Sequence, residues 1–338
     1  MLLTASLGGH LHELESLAPR LIPHGYRAEW LVPPGPQSER LVGPVHHVLN
    51  TRPRDWRAAA LSARPILSVL RRIRPVAVVS TGAALAVPAL AAARSLGIEA
   101  HYIESCARPS GPSLTGRILA ATPGVHLYSQ WPEWARGRWQ PTGSVFDGFG
   151  VARQAGPRGR LAHIRRVVVT VGTQRDYGFR RLIARLVELL PPDAEVLWQV
   201  GCTDVDGLGI QSRPWVDPEV LDRAMSEADL IIAHAGIGSA LAALEAGRMP
   251  ILVPRRPDMG EHVDDHQTLI GEEISQLGLA LVRDVEQIGP ADLYEAATTV
   301  VERLDTRPLL LTGRLGSALS TDSSHPSAGG SVQRAKTA

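Results

Sequence analysis

Short, almost wholly apolar runs alternate with stretches of helical periodicity along the whole 338-residue chain, and this rhythm leaves few folds open. Segments such as VAVVS, RRVVVTV and DLIIAH lack the polar–apolar alternation of a strand with one wet face, so they read as strands covered on both sides. Strands are expected at 1–6, 28–32, 45–49, 76–80 and 99–103, with helices at 10–21 and 84–96 among them. Strand, helix, strand at this spacing builds parallel βαβ units in an α/β, doubly wound sheet. The pattern lapses at 151–165, within GFGVARQAGPRGRLAH, and restarts with RRVVVTVGTQ. Helices at 177–190, 218–227, 237–246 and after His262 then alternate with strands at 195–200, 229–236 and 250–254, and a closing helix is expected at 290–304. This predicts two Rossmann-like domains, 1–150 and 166–304, joined by a linker and facing across a cleft at the carboxyl ends of their strands. From Asp305 to Ala338 the composition turns to Ser, Thr, Gly and Pro, and a mostly disordered tail is expected.

Composition narrows the function classes. Thirty-five basic residues stand against 34 acidic ones in a chain that is 44% apolar and 20% charged, a soluble globular profile with no bulk attraction to nucleic acid. Cys106 and Cys202 fit no metal or redox spacing, so a reducing compartment and two structural thiols are expected. No apolar run approaches the ~20 residues that span a bilayer, and MLLTASLGGH lacks the basic and apolar regions of a signal peptide. Any membrane contact is therefore expected to be peripheral.

Three segments carry chemistry. In AHAGIGSALAALEAG a strand passes through a glycine turn, with His234, Gly236, Ile237, Gly238 and Ser239, into a helix. Glycines let the backbone approach a ligand, and the free amides and dipole of the helix suit a diphosphate, although many such turns only pack a helix on a sheet. VVVTVGTQ ends another strand in Gly172, Thr173 and Gln174, where a hydroxyl and backbone amides can also meet phosphate. VPRRPDMGEHVDDHQ gathers Glu261, His262, Asp264, Asp265, His266 and Gln267 in one loop, a density of polar groups that suits sugar hydroxyls. The histidines and aspartates there match no zinc spacing, and the Asp204-x-Asp206 pair lies in a polar loop without the rest of a metal-dependent transferase motif. No metal and no cofactor are expected.

HAGIGS, VPR and GEHVDDHQ, in that order, resemble the donor-binding domain of glycosyltransferase family 28 over about 167–304. The same domain occurs in the peptidoglycan GlcNAc transferases and in the catalytic subunit of the dolichol-linked GlcNAc transferase. The GEHVDDHQ form resembles above all the bacterial exopolysaccharide and capsule enzymes. In the first half, LGGHLHEL, STGAALAVP and YIESCARPSGPSLTGRIL resemble the membrane-associated partner subunit of the dolichol enzyme, so the chain reads as a fusion with the acceptor half first. The resemblance implies a GT-B, inverting, UDP-sugar-dependent glycosyltransferase, cytoplasmic and peripheral on the inner face of the cytoplasmic membrane. It implies transfer of a hexose or N-acetylhexosamine to a polyprenyl-diphosphate-linked sugar in exopolysaccharide or cell-envelope glycan synthesis.

The resemblance also assigns roles. Gly236 to Ser239 hold the donor diphosphate, with Gly172 and Thr173 across the same site; Trp215 and Val216 of RPWVDPE meet uracil; Asp265, His266 and Gln267 meet the donor sugar. Family relatives bind ribose with a glutamate six residues after the turn glycine. Here that position is Ala242, and Glu245, one turn further, is the candidate substitute unless the ribose is held otherwise. Gly8, Gly9 and His10 form a glycine turn at a helix start, a site for the acceptor's diphosphate. His10 is the candidate base, since an imidazole titrates near neutral pH, unless it only caps the helix or binds phosphate; Glu13 is the second candidate. Ser80, Thr81, Gly82, Glu104 and Ser105 end neighbouring strands and are expected to line the acceptor side.

Some readings stay double. Trp215 is either a base contact or a core aromatic, and Arg255 and Arg256 are either ligands of a sugar carboxylate or solvated. Arg52, Arg54, Arg57, Arg71, Arg72 and Arg74 suit anionic headgroups or form an ordinary solvated face. A transferase acting on a soluble natural product, a UDP-sugar-binding scaffold and a UDP-sugar epimerase are the competing functions. The sugar is left open among GlcNAc, glucose, galactose and glucuronate.

Overall fold

The structure, a computed structural model, describes residues 1–49, 56–152, 164–173, 177–262 and 265–322, the side chains of 56–60 and 322 excepted. The first domain holds β1 (Leu2–Ala5), β2 (Glu29–Val32), β3 (Val45–His47), β4 (Ala77–Gly82), β5 (Glu99–Ile103), β6 (Val125–Ser129) and β7 (Trp139–Pro141). These pair in parallel in the order β3-β2-β1-β4-β5-β6-β7. Helices α1 (Gly9–Leu21), α2 (Trp56–Ile73), α3 (Ala86–Ser95) and α4 (Leu114–Ala120) lie in the connections. Strand β8 (Phe149–Ala152) then leads to the second domain.

There β9 (Arg166–Thr170), β10 (Glu195–Gln199), β11 (Ser212–Arg213), β12 (Leu230–His234), β13 (Ile251–Val253) and β14 (Leu281–Val282) repeat the design. Their order is β11-β10-β9-β12-β13-β14, again parallel. The connections carry α5 (Arg180–Leu189), α6 (Pro218–Glu227), α7 (Ile237–Glu245), α8 (His266–Gln276) and α9 (Pro290–Thr298). Strands β9 and β12 are apolar because both faces of each are covered: Val167 to Val169 and Leu230 to Ala233 are buried.

Helix α1 is the joint between the domains. Leu11, Leu14, Leu17, Ala18 and Leu21 recur every three or four residues and are buried along one face. The helix packs against α7, and one apolar cluster runs from Leu11 and Leu14 to Ile237, Leu241 and Leu244.

Two expectations near the end of the chain fail. The closing helix stops at Thr298, and Val300–Arg303 forms β15, antiparallel to β8. β-branched Val300 and Val301 favour that pairing over another helical turn. Val151 and Ala152, expected in the linker, belong to β8; residues 153–163 lie outside the described residues. The expected tail also carries structure, since Gly313–Asp322 forms α10. Leu309, Leu315 and Leu319 are buried in the apolar cluster that contains α1. The Glu99 carboxylate accepts hydrogen bonds from the amides of Arg314 (2.9 Å) and Leu315 (3.2 Å), capping α10 from the first domain. Residues 323–338 lie outside the described residues.

Candidate active site

In both sheets the strand order reverses beside the first strand of the domain, so a crevice opens at the carboxyl ends of β1 and β4 and of β9 and β12. Helices α1 and α7 begin at those crevices, and their first turns meet. A Cβ placed on Gly9 would lie 3.6 Å from the Gly238 nitrogen. Gly8 has φ 91°, which favours glycine, and its amide donates to Gln37 Oε1 at 2.6 Å. Beside this junction lies a cavity of about 840 Å³ lined by both domains. Of the residues expected to bind substrate, Gly8, Gly9, Gly172, Thr173, Trp215, Val216, His234, Gly236, Ile237, Gly238, Ser239 and Glu245 line it.

Trp215 is 50% exposed at the cavity wall, so it is no core aromatic. Behind it the Val216 amide donates to Gln199 Oε1 at 3.0 Å, and Gln199 Nε2 donates to Thr170 Oγ1 at 2.7 Å. Thr170 Oγ1 also accepts from the Gly172 amide at 3.3 Å, so one polar chain fixes the ends of β9 and β10. The His234 ring packs against two glycines: a Cβ on Gly236 would lie 2.3 Å from its Nε2, and one on Gly172 2.7 Å from Cε1. Desolvation, with the nearby Arg255 charge, lowers the His234 pKa to about 3. The imidazole is neutral and shapes the turn, with Ser239 Oγ 3.5 Å from its Nδ1.

Glu245 lines the cavity with Ala242, but its carboxylate is engaged across the domain boundary. His12 Nε2 lies 2.8 Å from Oε2, Ser16 Oγ donates to Oε1 at 2.5 Å, and Arg303 donates to Oε1 at 3.1 Å. A ribose at Glu245 must share or displace these partners. Arg40 and Asp222 form a second ion pair between the domains at the same cavity. His12 and Ser16 were missed in the sequence, although they sit four apart opposite the apolar stripe of α1, where a solvated or ligand-facing stripe belongs. Burial acts to lower the His12 pKa, yet the hydrogen bond and charge of Glu245 outweigh it and leave it raised. The clasp's contribution is therefore complete below the ordinary imidazole range and fades as pH rises through the folded-state value. Accordingly, His12→Ala is expected to lower stability by ~0.5–1 kcal/mol at pH 6 and by less at pH 8.5. Urea unfolding of both proteins across that range checks this, and a pH-independent difference would contradict it.

Several expected donor ligands are placed elsewhere. Arg255 is buried, its guanidinium donating to the carbonyls of Val171 (2.5 Å) and Tyr177 (2.6 Å) and lying 5.5 Å over the Phe179 ring. It is a framework cation and reaches neither solvent nor a sugar carboxylate. Gln267 is buried with Oε1 accepting from the Arg255 amide at 3.1 Å. Asp265 lines a separate depression with Arg256 and Arg283, and the His262 ring lies 6.1 Å from that of Tyr177. His266 turns toward the first domain, where its Nε2 accepts from Arg108. Gln174 and Asp264 lie outside the described residues.

In the first domain the His10 ring is fixed in place. Its Nδ1 lies 2.9 Å from the Thr81 carbonyl, which can only accept, so Nδ1 carries the hydrogen and Nε2 keeps its lone pair. Thr81 Oγ1 returns a bond to the His10 carbonyl at 2.8 Å, and Gly82 leaves room for the ring: a Cβ there would lie 3.1 Å from Cε1. Desolvation lowers the His10 pKa, and the Arg108 charge adds to it.

Glu13 does not share this role. It is fully buried and accepts from Ser105 Oγ (2.8 Å), the Cys106 amide (2.7 Å) and Gln130 Nε2, so no acceptor hydroxyl reaches it. Glu104, also buried, accepts from Tyr102 OH (2.9 Å) and from the amide and hydroxyl of Ser113 (2.9 and 3.0 Å). Ser80 Oγ accepts from the Gly82 amide at 3.1 Å. Ser80, Glu104 and Ser105 therefore brace the acceptor side from within and do not form its surface.

Two doubly wound domains enclosing a cleft define the GT-B architecture. Residues 166–307 match the Glycosyltransferase family 28 C-terminal domain, so the chain is a glycosyltransferase with that domain as its second half. It is 25% identical over 336 residues to the UDP-N-acetylglucosamine--N-acetylmuramyl-(pentapeptide) pyrophosphoryl-undecaprenol N-acetylglucosamine transferase of Ralstonia nicotianae, covering 89% of this chain and 87% of the relative. Among solved structures, Acinetobacter baumannii MurG shares 20% identity at a TM-score of 0.53, over 87% of this chain and 88% of its own. The glycosyltransferase SnogD of Streptomyces nogalater shares 19% identity at 0.55, over 94% of each chain.

Proposed function

We propose that this chain moves a hexose or N-acetylhexosamine from a UDP-sugar to a lipid-diphosphate-linked sugar, with inversion, in exopolysaccharide or cell-envelope glycan synthesis. The observation that carries the reading is the junction of α1 and α7, where the restrained His10 ring follows Gly8 and Gly9 of the cavity lining and the first turn of α7, 237–239, lines the same cavity. The names of the curated relatives specify UDP-N-acetylglucosamine and a pyrophosphoryl-undecaprenol acceptor, which supports both substrate classes here. In the reaction, the acceptor hydroxyl attacks the anomeric carbon from the face opposite the nucleotide and gives its proton to His10 Nε2. The bond to the diphosphate breaks, and the charge left on UDP is met by the first amides of α7. An α-linked donor thus yields a β-linked product.

A lipid acceptor places the protein at a membrane. No described helix is long and apolar enough to cross one, so the contact is peripheral, through exposed Arg71, Arg72 and Arg74 at and just beyond the end of α2 and anionic headgroups at the inner face of the cytoplasmic membrane. The diphosphate site consists of helix amides and needs no divalent ion. Calorimetry with UDP in EDTA is expected to give an affinity equal to that measured with magnesium. UDP release should then require a UDP-sugar together with a lipid-diphosphate sugar in anionic vesicles. Binding abolished by chelation contradicts the metal-free site, and turnover with soluble aglycones alone transfers the reading to natural-product glycosylation.

A further inference from the structure

We propose that Arg108 is a positioning residue of the transfer reaction: a first-domain arm whose grip on His266 of the second domain sets His10 against the donor half. This rests on the reading of His10 as the base. Arg108 lies in the segment after β5, a segment held from several sides. Its own amide donates to the Ser105 carbonyl at 3.0 Å, the Ala107 amide donates to Ser105 Oγ at 3.2 Å, and Trp134 Nε1 donates to the Arg108 carbonyl at 3.0 Å. Ser105 in turn is anchored by the buried carboxylates of Glu13 and Glu104. The backbone of Arg108 is therefore rigid, and only its side chain bridges the domains.

That side chain donates to His266 Nε2 at the start of α8. Half-buried, it forms no ion pair with a carboxylate among the described residues. Its charge instead acts on His10. The groups packed on His10 are the Thr81 carbonyl and Gly82 on β4, with Gly238 of α7 approaching its neighbour Gly9, and the Arg108 charge acts to lower its pKa. A cation near the imidazole opposes its protonation. The segment is also bonded to α1 through Glu13, so the grip on His266 fixes where the helix that begins beside His10 stands relative to the second domain. The sequence hid this, because Arg108 sits among small residues in ESCARPSGP with no partner nearby in the chain.

The test compares Arg108→Met, Arg108→Lys, His266→Ala and the double variant Arg108→Met/His266→Ala in the full chain. Arg108→Met is expected to lower kcat/KM ~10–100-fold, the scale of a misplaced reacting group, with UDP affinity by calorimetry within about twofold of wild type. The acid limb of its kcat/KM–pH profile should move to higher pH, because the charge that kept His10 unprotonated is gone. Arg108→Lys should restore the limb but little of the rate, and the double variant should lose no more than the worse single one. An unmoved limb with intact turnover overturns the proposal alone. Loss of UDP affinity in step with rate overturns it by making Arg108 a nucleotide ligand. A wild-type profile whose acid limb persists in His10→Ala removes the base reading, and the proposal falls with it.

Discussion

His10→Ala is expected to cut turnover by ~10²–10⁴-fold while leaving UDP affinity within about twofold. The size of the loss follows from the arrangement of the ring. A base contributes most when its tautomer and orientation are fixed before the substrate arrives, and the Thr81 carbonyl fixes both at 2.9 Å. The selectivity of the loss follows from placement. The imidazole packs on Gly82 at the end of β4 and is not among the residues lining the cavity, whose walls come from α1 (Gly9, His12, Ser16) as well as from β9, β12, α7 and Trp215. Steady-state kinetics with saturating UDP-sugar and calorimetry with UDP separate the two effects. Near-normal turnover would leave the glycine turn of α1 with phosphate binding alone, since Glu13 is sealed in the core and cannot take over.

The second large effect is on stability. Desolvation raises the Glu13 pKa from 4.5 to about 7, against hydrogen bonds from Cys106, Ser105 and Gln130 that pull it down. A group whose pKa rises on folding stabilises the fold below its unfolded value, and that contribution disappears as pH climbs through the folded value. Wild-type stability should therefore decline between about pH 4.5 and 7, by on the order of 2–3 kcal/mol from this group. Glu13→Gln should flatten the decline. Its amide oxygen can still accept from the Cys106 amide and Gln130, while its NH2 donates to Ser105 Oγ. Glu13→Ala should instead cost ~3–5 kcal/mol at pH 5, because the Cys106 amide and Gln130 Nε2 lose a buried acceptor, and less at pH 8, where the wild type has itself lost the contribution of this group. Urea titrations at pH 5 and pH 8 check both variants, and a decline unchanged in Glu13→Gln would refute the assignment.

The α/β architecture was legible because parallel strands covered on both faces must be continuous apolar runs. VVVT and LIIAH announce β9 and β12 without help from any partner. The glycine turn after β12 was legible as a turn: glycines are required where His234 packs against the backbone. What escaped depends on contacts distant in sequence. Arg255 was read as a sugar-carboxylate ligand or a solvated residue, but it is an interior cation that donates to carbonyls 78 and 84 residues away. Glu13 was read as a second candidate base and Glu104 as lining the acceptor side, and only the fold encloses both among donors. Glu245 was expected to face ribose; the partners that occupy it come from α1, 229 and 233 residues earlier. The stretch from Asp305 was misread through its polar composition, since three well-spaced leucines suffice to dock a short helix on a prepared surface.

Because α10 returns to the first domain, each end of the second domain is tethered to the same body. The first domain is thus discontinuous in sequence, assembled from a segment that precedes the second domain and one that follows it. A ribosome releasing the first 150 residues has not yet made the helix that Glu99 caps and that Leu315 and Leu319 anchor. Completion of the acceptor half therefore waits for the donor half to emerge. The double tether also restricts how the halves can part: a hinge that opens the cleft is permitted, whereas a free swivel about a single connection is not. A chain broken at the linker would lose both properties together, producing one fragment that lacks its last helix and another that carries a helix belonging to its neighbour.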